Sequence, residues 1–219
     1  MHAVIAPTSA PAVPESSEAP AGAGWRQADR AALTRELPRL RARLLRVWDA
    51  YQAALPRNLK VRYAPELNPP RWELGHIGWF EEFWIARNPQ RLRGTQADPD
   101  VARAASVVRR AEALYHSSQV AHTRRWHLDL PDAAQTLRDV TRIRERTVAL
   151  LDQTPDDDDA LYFFRLAAVH EAMHLEAWIY MAQNLAIDLR GAGVPLQPAR
   201  VPPLESLAHP GQRFTLGHD

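Results

Sequence analysis

The clearest chemical signal in the chain is the segment HEAMHLEAW at residues 170–178, with two histidines four residues apart. The segment contains no helix breaker, so His170 and His174 would project from one face of a helix, one turn apart. With this spacing one helix can supply two ligands to a metal. Because Glu171 follows His170, the string also matches the H-E-x-x-H pattern of zinc proteases, in which this glutamate is the general base. A metal-binding pair, a protease site and two structural histidines are all open at this point.

A third histidine lies in a second apolar segment. His76 stands within PPRWELGHIGWFEEFW, which is too apolar and aromatic to face solvent. Such a histidine usually donates to a backbone carbonyl in the core. However, a second helix offering two imidazoles to the same interior favours a metal site shared by His76, His170 and His174. Three neutral imidazoles suit zinc, iron(II), nickel or copper. The protease interpretation is disfavoured, because its third ligand would have to come from an upstream helix.

Two glutamates lie close to the histidines in sequence. Glu176 is two residues beyond His174 and therefore points about 200° away around a helix. It cannot easily bind a metal together with both histidines, so we expect it to hydrogen-bond a ligand or to pair with another helix. Glu73 lies one turn before His76 on the same face, and is either an outer partner of the site or an ordinary surface glutamate.

Two further sets of side chains are candidates for holding an organic substrate. An aromatic face surrounds His76, and it is either core or the wall of a water-poor pocket. In the second case Trp79 is the best candidate for receiving a cationic ligand on its indole face, and Phe83 is a weaker one. Several arginines could bind a carboxylate with two hydrogen bonds, and the sequence singles out none of Arg87, Arg91, Arg93, Arg109 and Arg110.

These groups need helices to position them, and hydrophobic periodicity predicts four long ones. Pro38 is expected to open the first helix, because proline is tolerated at the first helical position. The acidic run before the fourth suits a helix N-terminus. A further helix is predicted over 98–117, and no alternating strand pattern is present. The predicted fold class is all-α, an antiparallel four-helix bundle with long connections. The predicted bundle helices cover about 38–55, 72–87 and 132–151, and the fourth follows the acidic run 156–159 and extends to about 184.

Composition sets the domain limits and the partners. Residues 1–24 are rich in Ala, Pro and Ser, which predicts a disordered tail before a helical domain at 25–188. Five of the 18 prolines fall in residues 191–219, so 189–219 is expected to be a linker or an extended arm. With 27 Lys+Arg against 26 Asp+Glu, the chain lacks the excess of basic residues that is typical of nucleic-acid-binding proteins. No apolar run approaches the roughly 20 residues of a membrane span. With no secretory signal, a cytoplasmic location is expected.

The absence of cysteine narrows the chemistry further. With no cysteine in 219 residues, the chain can form no disulfide, thiolate metal site or cysteine nucleophile. Any metal must therefore be held by nitrogen and oxygen ligands.

Three segments together resemble one family. They are PELNPPRWELGHIGWFEEFWIARNP, SSQVAHTRRWHLDLP and HEAMHLEAW. They look like the N-terminal DinB-like helical domain of the ergothioneine-type sulfoxide synthases and their selenoneine relatives. The resemblance covers most of residues 30–185, with the spaced histidines in the family's order.

The resemblance implies a mononuclear nonheme iron enzyme. By the family's pattern, His76, His170 and His174 would bind Fe(II), and Glu176 fills the glutamate position of the motif. The enzyme would use O2 to join a sulfur or selenium donor, a thiol or a selenosugar, to the imidazole of hercynine. The family's helical domain is followed by a lobe of the formylglycine-generating type that carries a catalytic tyrosine. The segment HPGQRFTLGHD looks like the first strand of that lobe, so the chain is expected to be either one lobe of a longer enzyme, with the rest of the second lobe absent here, or a solitary bundle.

One departure from the family affects the choice of substrate. Ergothioneine synthases typically carry glutamine immediately before the second motif histidine, where it helps hold hercynine. This chain has Met173, which cannot form a strong hydrogen bond. The departure favours the selenoneine branch and places Met173 among the substrate-binding candidates. The alternative function is that of a DinB-type thiol transferase or isomerase with zinc or nickel at the three histidines.

Overall fold

The computed structural model describes residues 23–56 and 58–194. Nearly all of the predicted N-terminal tail lies outside these residues, as does the chain beyond 194, with the segment that resembles a second lobe. Within the described ranges, every helix is too short or too polar to cross a bilayer.

The first long helix begins earlier than predicted. A short helix α1, Ala23–Arg26, precedes α2, Arg30–Ala54. Asp29 caps α2 by accepting a hydrogen bond from the backbone N–H of Ala32 at 2.7 Å. The predicted start at Pro38 is therefore wrong, and this proline lies inside the helix. An interior proline costs about 3 kcal/mol. Full burial of Leu33 and Leu37, at about 1.5–3 kcal/mol each, offsets that cost.

The second long helix is confirmed, with an irregular end. Helix α3 spans Pro70–Glu81 and continues as a π-helical turn over Glu82–Ala86. In this turn the backbone N–H of Arg87 donates to the carbonyl of Glu82 at 2.9 Å, a five-residue step. The side chain of Glu82 is buried and accepts hydrogen bonds from Ser106 and from the N–H of Val107.

The helix predicted over 98–117 is largely wrong. Within that range only α4, Ala111–Tyr115, is helical. The segment before α4 is instead tied to the residue that follows the π-helical turn: the N–H of Ala104 donates to the carbonyl of Arg87 at 3.1 Å. Arg110, just before α4, has a positive φ of 61°, which a continuous helix does not allow.

The last two bundle helices lie where they were predicted. Helix α5 spans Ala133–Asp152 and α6 spans Asp158–Asn184. Each begins at an aspartate cap, Asp132 for α5 and Asp157 for α6, whose carboxylate accepts a backbone N–H of the first turn.

Helices α2, α3, α5 and α6 form the bundle, and their contacts give their directions. The N–H of Arg30 at the start of α2 donates to Asp156 before the start of α6, and Tyr51 near the end of α2 donates to the carbonyl of Trp178 on α6. Helices α2 and α6 are therefore parallel neighbours. Contacts of the same kind make α3 antiparallel to α6 and α5 antiparallel to α2. The all-α four-helix bundle is confirmed, and its long connection between α3 and α5 lets these two run in the same direction.

Candidate metal centre

The three predicted ligands come together at the interface of α3 and α6. His76 lies on α3, and His170 and His174 lie on successive turns of α6. One ring nitrogen of each lies within 4.8 Å of those of the others. The Nε2 atoms of His170 and His174 are 3.1 Å apart. His76 is buried and the other two are half-buried. Three imidazole nitrogens thus face a single point.

Hydrogen bonds set the tautomers of two of these histidines. Nδ1 of His76 lies 2.8 Å from the carbonyl oxygen of Tyr115, and Nδ1 of His174 lies 2.5 Å from Oε1 of Glu73. Both oxygens are acceptors, so each Nδ1 carries the proton and each Nε2 keeps its lone pair. Metal-ligating histidines almost always have such an acceptor on their second nitrogen.

Burial keeps two of the imidazoles neutral. It lowers the pKa of His76 to about 4, assisted by the nearby His174. Burial also lowers the pKa of His170 to about 2, assisted by its electrostatic interaction with the nearby His174 and His76. A metal binds the neutral imidazole, so these two histidines need lose no proton at neutral pH before they bind.

Aromatic side chains hold two of the rings in place. The ring of Trp72 stacks on His76 with 4.8 Å between centroids, and Phe80 stacks on His170 at 3.6 Å. Trp72, His76 and Phe80 follow one another at four-residue intervals on α3 and therefore share one face. This spacing directs both aromatic rings toward the histidines. The indole N–H of Trp72 also donates to the carbonyl of Leu114 at 2.7 Å, which fixes the orientation of that ring.

A cavity of about 360 Å³ opens beside the three nitrogens. Three imidazoles would fill only part of the coordination positions of a divalent transition metal, and the cavity would leave room for further ligands. The donor set and the space both fit a metal that binds a small molecule. Besides the histidines, the cavity is lined by Asn68, Trp72, Phe80, Ser117, Arg125 and Met173.

The predicted substrate residues divide into two groups. Met173 lines the cavity and is 53% exposed. Trp79 is buried behind His76, with its ring centroid 5.6 Å from that of His76 and 5.1 Å from that of Phe83. The guanidinium of Arg103 lies 4.4 Å from the ring centroid of Phe83. Neither Trp79 nor Phe83 lines the cavity.

The glutamates occupy three different environments. Glu73 is buried against His174, as described above, whereas Glu176 is exposed and has no hydrogen bond or ion pair to another described residue. Glu171 is buried between Arg41 and Arg144. Burial alone would raise the pKa of Glu171, but the two guanidinium groups hold that pKa below its usual value. An ion-paired carboxylate in the core cannot serve as the general base, so the protease interpretation is wrong.

Arg125, which is not among the residues predicted from the sequence, is the arginine that lines the cavity. Its guanidinium lies 3.9 Å from the ring centroid of Trp72, and its Nη1 donates to Asn68 at 2.8 Å. The five arginines considered from the sequence do not line this cavity, and Arg87 is paired with Glu112. The sequence feature that could have identified Arg125 is its position in SSQVAHTRRWHLDLP, one of the segments that carry the family resemblance.

Comparison with known proteins agrees with this architecture. The family model of the DinB superfamily matches residues 36–182, which include parts of all four bundle helices. The chain is 34% identical over 173 residues to a hercynine oxygenase of Mycolicibacterium thermoresistibile, covering 78% of this chain and 35% of that protein. It is 31% identical over 194 residues to a hercynine oxygenase of Mycolicibacterium smegmatis, covering 87% of this chain and 41% of that protein. The chain thus spans about two fifths or less of these relatives. On the family match, the chain belongs to the DinB superfamily.

Proposed function

We propose that this DinB domain binds iron(II) through His76, His170 and His174. We further propose that it forms part of an O2-dependent enzyme that makes a carbon–selenium or carbon–sulfur bond on the imidazole of hercynine. The observation that carries the proposal is the convergence of three imidazole nitrogens beside an open cavity. Similarity to proteins named hercynine oxygenase supplies the substrate class.

Iron(II) would supply a redox-active Lewis acid with positions left for hercynine, the donor and O2. The chain's own residues prepare the site for it. Glu73 and the carbonyl of Tyr115 keep protons on the outer nitrogens of His174 and His76. Phe80 holds the ring of His170 by stacking and excludes water from that side.

Arg125 is the group we assign to the carboxylate of hercynine. This carboxylate needs a cationic donor, and Arg125 places a guanidinium at the cavity with its other face against Trp72. The contact with Asn68 restrains the side chain, so less conformational entropy is lost when a carboxylate binds. The trimethylammonium group of hercynine would then lie toward the aromatic side of the cavity, at Phe80.

Met173 supports the selenium branch of the proposal. Its side chain is 53% exposed and lines the cavity at the position before His174. A thioether is soft and polarizable, and it offers no strong hydrogen bond to hercynine. This environment suits a selenium donor better than the glutamine of ergothioneine synthases does. We place the catalytic tyrosine in a second lobe, following the family resemblance.

The test is product formation by full-length protein loaded with iron(II). Hercynine, O2 and either a selenosugar or a thiol are supplied, and the products are identified by mass spectrometry. We expect a C–Se adduct, O2 consumption and loss of both in His170→Ala. Iron-loaded protein that forms no adduct with either donor would refute the proposal. Bound zinc or nickel with thiol transfer and no O2 consumption would instead establish the alternative, for which the same three imidazoles also suffice.

A further inference from the structure

A buried cluster of four charged side chains connects all four bundle helices. Each helix contributes one residue: Arg41 from α2, Glu81 from α3, Arg144 from α5 and Glu171 from α6. None is more than 6% exposed. We refer to these four residues as the ion cluster.

Each arginine of the ion cluster contacts both glutamates, and the two positive charges balance the two negative charges. Arg41 donates to both oxygens of Glu171, at 2.9 and 3.0 Å, and to Glu81 at 2.8 Å. Arg144 donates to Glu81 at 2.9 Å and also contacts Glu171. Each arginine additionally donates to a backbone carbonyl of the opposite helix, Arg41 to α5 and Arg144 to α2.

Stability alone is a poor explanation for this arrangement. Removing four charges from water is expensive, and replacing a buried ion cluster by apolar residues of similar size is often neutral or stabilising. In some proteins buried polar or ionic groups are kept because they specify the register of neighbouring helices, and the directional bonds of this cluster are suited to that role.

The ion cluster lies close to the metal ligands along the chain. Each of the two ligand-bearing helices carries one of the two carboxylates of the cluster. Glu171 directly follows His170, and Glu81 is five residues after His76, which is about 7.5 Å along the helix axis. Both arginines lie on the two helices that carry no ligand.

A metal site tolerates only small displacements of its ligand atoms, so the rotation of the ligand-bearing helices affects metal binding. Metal–ligand distances must be met to about 0.2 Å. Rotating α6 by about 10° would move a ring nitrogen that lies about 6 Å from the helix axis by about 1 Å. The two hydrogen bonds from Arg41 to Glu171 oppose such a rotation, one residue away from His170.

We propose that the ion cluster positions the metal centre: Arg41 and Arg144 hold α3 and α6 through Glu81 and Glu171 so that their histidines converge. These four are positioning residues, since none of them is among the three facing histidines. The inference rests on the proposed function only in requiring a metal at these histidines.

The experiment measures metal binding by purified full-length protein, with Co2+ as a spectroscopic probe. Three variants are compared with the wild type: Glu171→Gln, Glu81→Gln, and a quadruple variant with methionine at all four positions. The matched control is Glu145→Gln, an exposed glutamate on α5 beside Arg144. Circular dichroism and thermal unfolding establish the temperature range in which each variant is folded, and Co2+ is titrated within that range.

We expect Co2+ affinity to fall 10–100-fold in each cluster variant, the range typical of groups that orient metal ligands, with an altered visible spectrum of bound Co2+. Glu145→Gln should bind as the wild type does. The quadruple variant is the decisive one, because a purely structural cluster predicts a folded protein with unchanged metal affinity. That result, or failure of all three variants to fold, would overturn the proposal. Wild-type protein that binds Co2+ but makes no hercynine product would refute the proposed function and leave this inference standing.

Discussion

The hydrogen bond between Glu73 and His174 gives the sharpest test of the metal centre. Glu73 is 1% exposed, and its Oε1 lies 2.5 Å from Nδ1 of His174. The substitution Glu73→Gln keeps the size of the side chain and a carbonyl acceptor but removes the negative charge. The charge matters because all three candidate ligands are imidazoles and bring no charge to a divalent ion.

The size of the effect follows from two roles of this carboxylate. It fixes the proton on Nδ1, and it makes the Nε2 lone pair more basic toward a metal. Hydrogen bonds to charged groups contribute about 1.5–3 kcal/mol, and every 1.4 kcal/mol corresponds to about a tenfold change in affinity. We therefore expect Glu73→Gln to weaken metal binding about tenfold and Glu73→Ala by up to about 100-fold.

The assay is competition between the protein and a chelator of known affinity for Co2+ or Zn2+. Glu66→Gln is the matched control, because Glu66 is an exposed glutamate shortly before α3. Circular dichroism should show that all variants retain the bundle. If Glu73→Gln bound metal as tightly as the wild type, with an unchanged Co2+ spectrum, the carboxylate would have no role in the site and our reasoning would be refuted.

Three further predictions concern the substrate, the packing and the pH dependence. Arg125→Met should raise the KM for hercynine at least tenfold while metal content, measured by elemental analysis, stays unchanged; an unchanged KM would show that another group binds the carboxylate. Gly75→Ala should destabilise the protein by about 1–3 kcal/mol in urea unfolding, because the added methyl would overlap the ring of Tyr115, whose carbonyl accepts from His76. Equal stability would show that Tyr115 can move. Because burial lowers the pKa values of His76 and His170 to about 4 and about 2, the unfolded chain binds more protons below pH 6.5. Metal-free protein should therefore lose about 1.4 kcal/mol per pH unit for each of these histidines as pH falls from 6.5 toward 4. Urea unfolding at several pH values measures this slope, and a flat profile would contradict it.

The ligands could be predicted from sequence because helical geometry is local. His170 and His174 are four residues apart in an unbroken apolar stretch, so their common face follows from the period of the helix. His76 could be added because an aromatic helix with a histidine at its centre has to face the core. The four bundle helices were predictable for the same reason, through periodicity and through caps such as Asp132.

What could not be predicted depends on contacts between distant parts of the chain. Arg125 reaches the cavity through a long connection between α3 and α5 whose path is set by hydrogen bonds between distant residues, such as that from Ala104 to Arg87. No short-range pattern encodes such a path. The start of α2 was missed because a general preference for proline at helix starts was outweighed by the burial of two leucines before Pro38.

The segment HEAMH shows why a motif has to be read together with its helix. Successive helical residues point about 100° apart, so the rotation of α6 decides whether Glu171 faces the metal together with His170 or faces the core. In this bundle the metal-facing side is defined by His76 on α3, which leaves Glu171 facing the core between Arg41 and Arg144. A zinc protease needs the same glutamate beside the metal, and therefore a different rotation of the helix. The sequence HEAMH is compatible with a zinc-protease site and with a three-histidine metal site. The helices that pack against α6 set its rotation and so decide between the two.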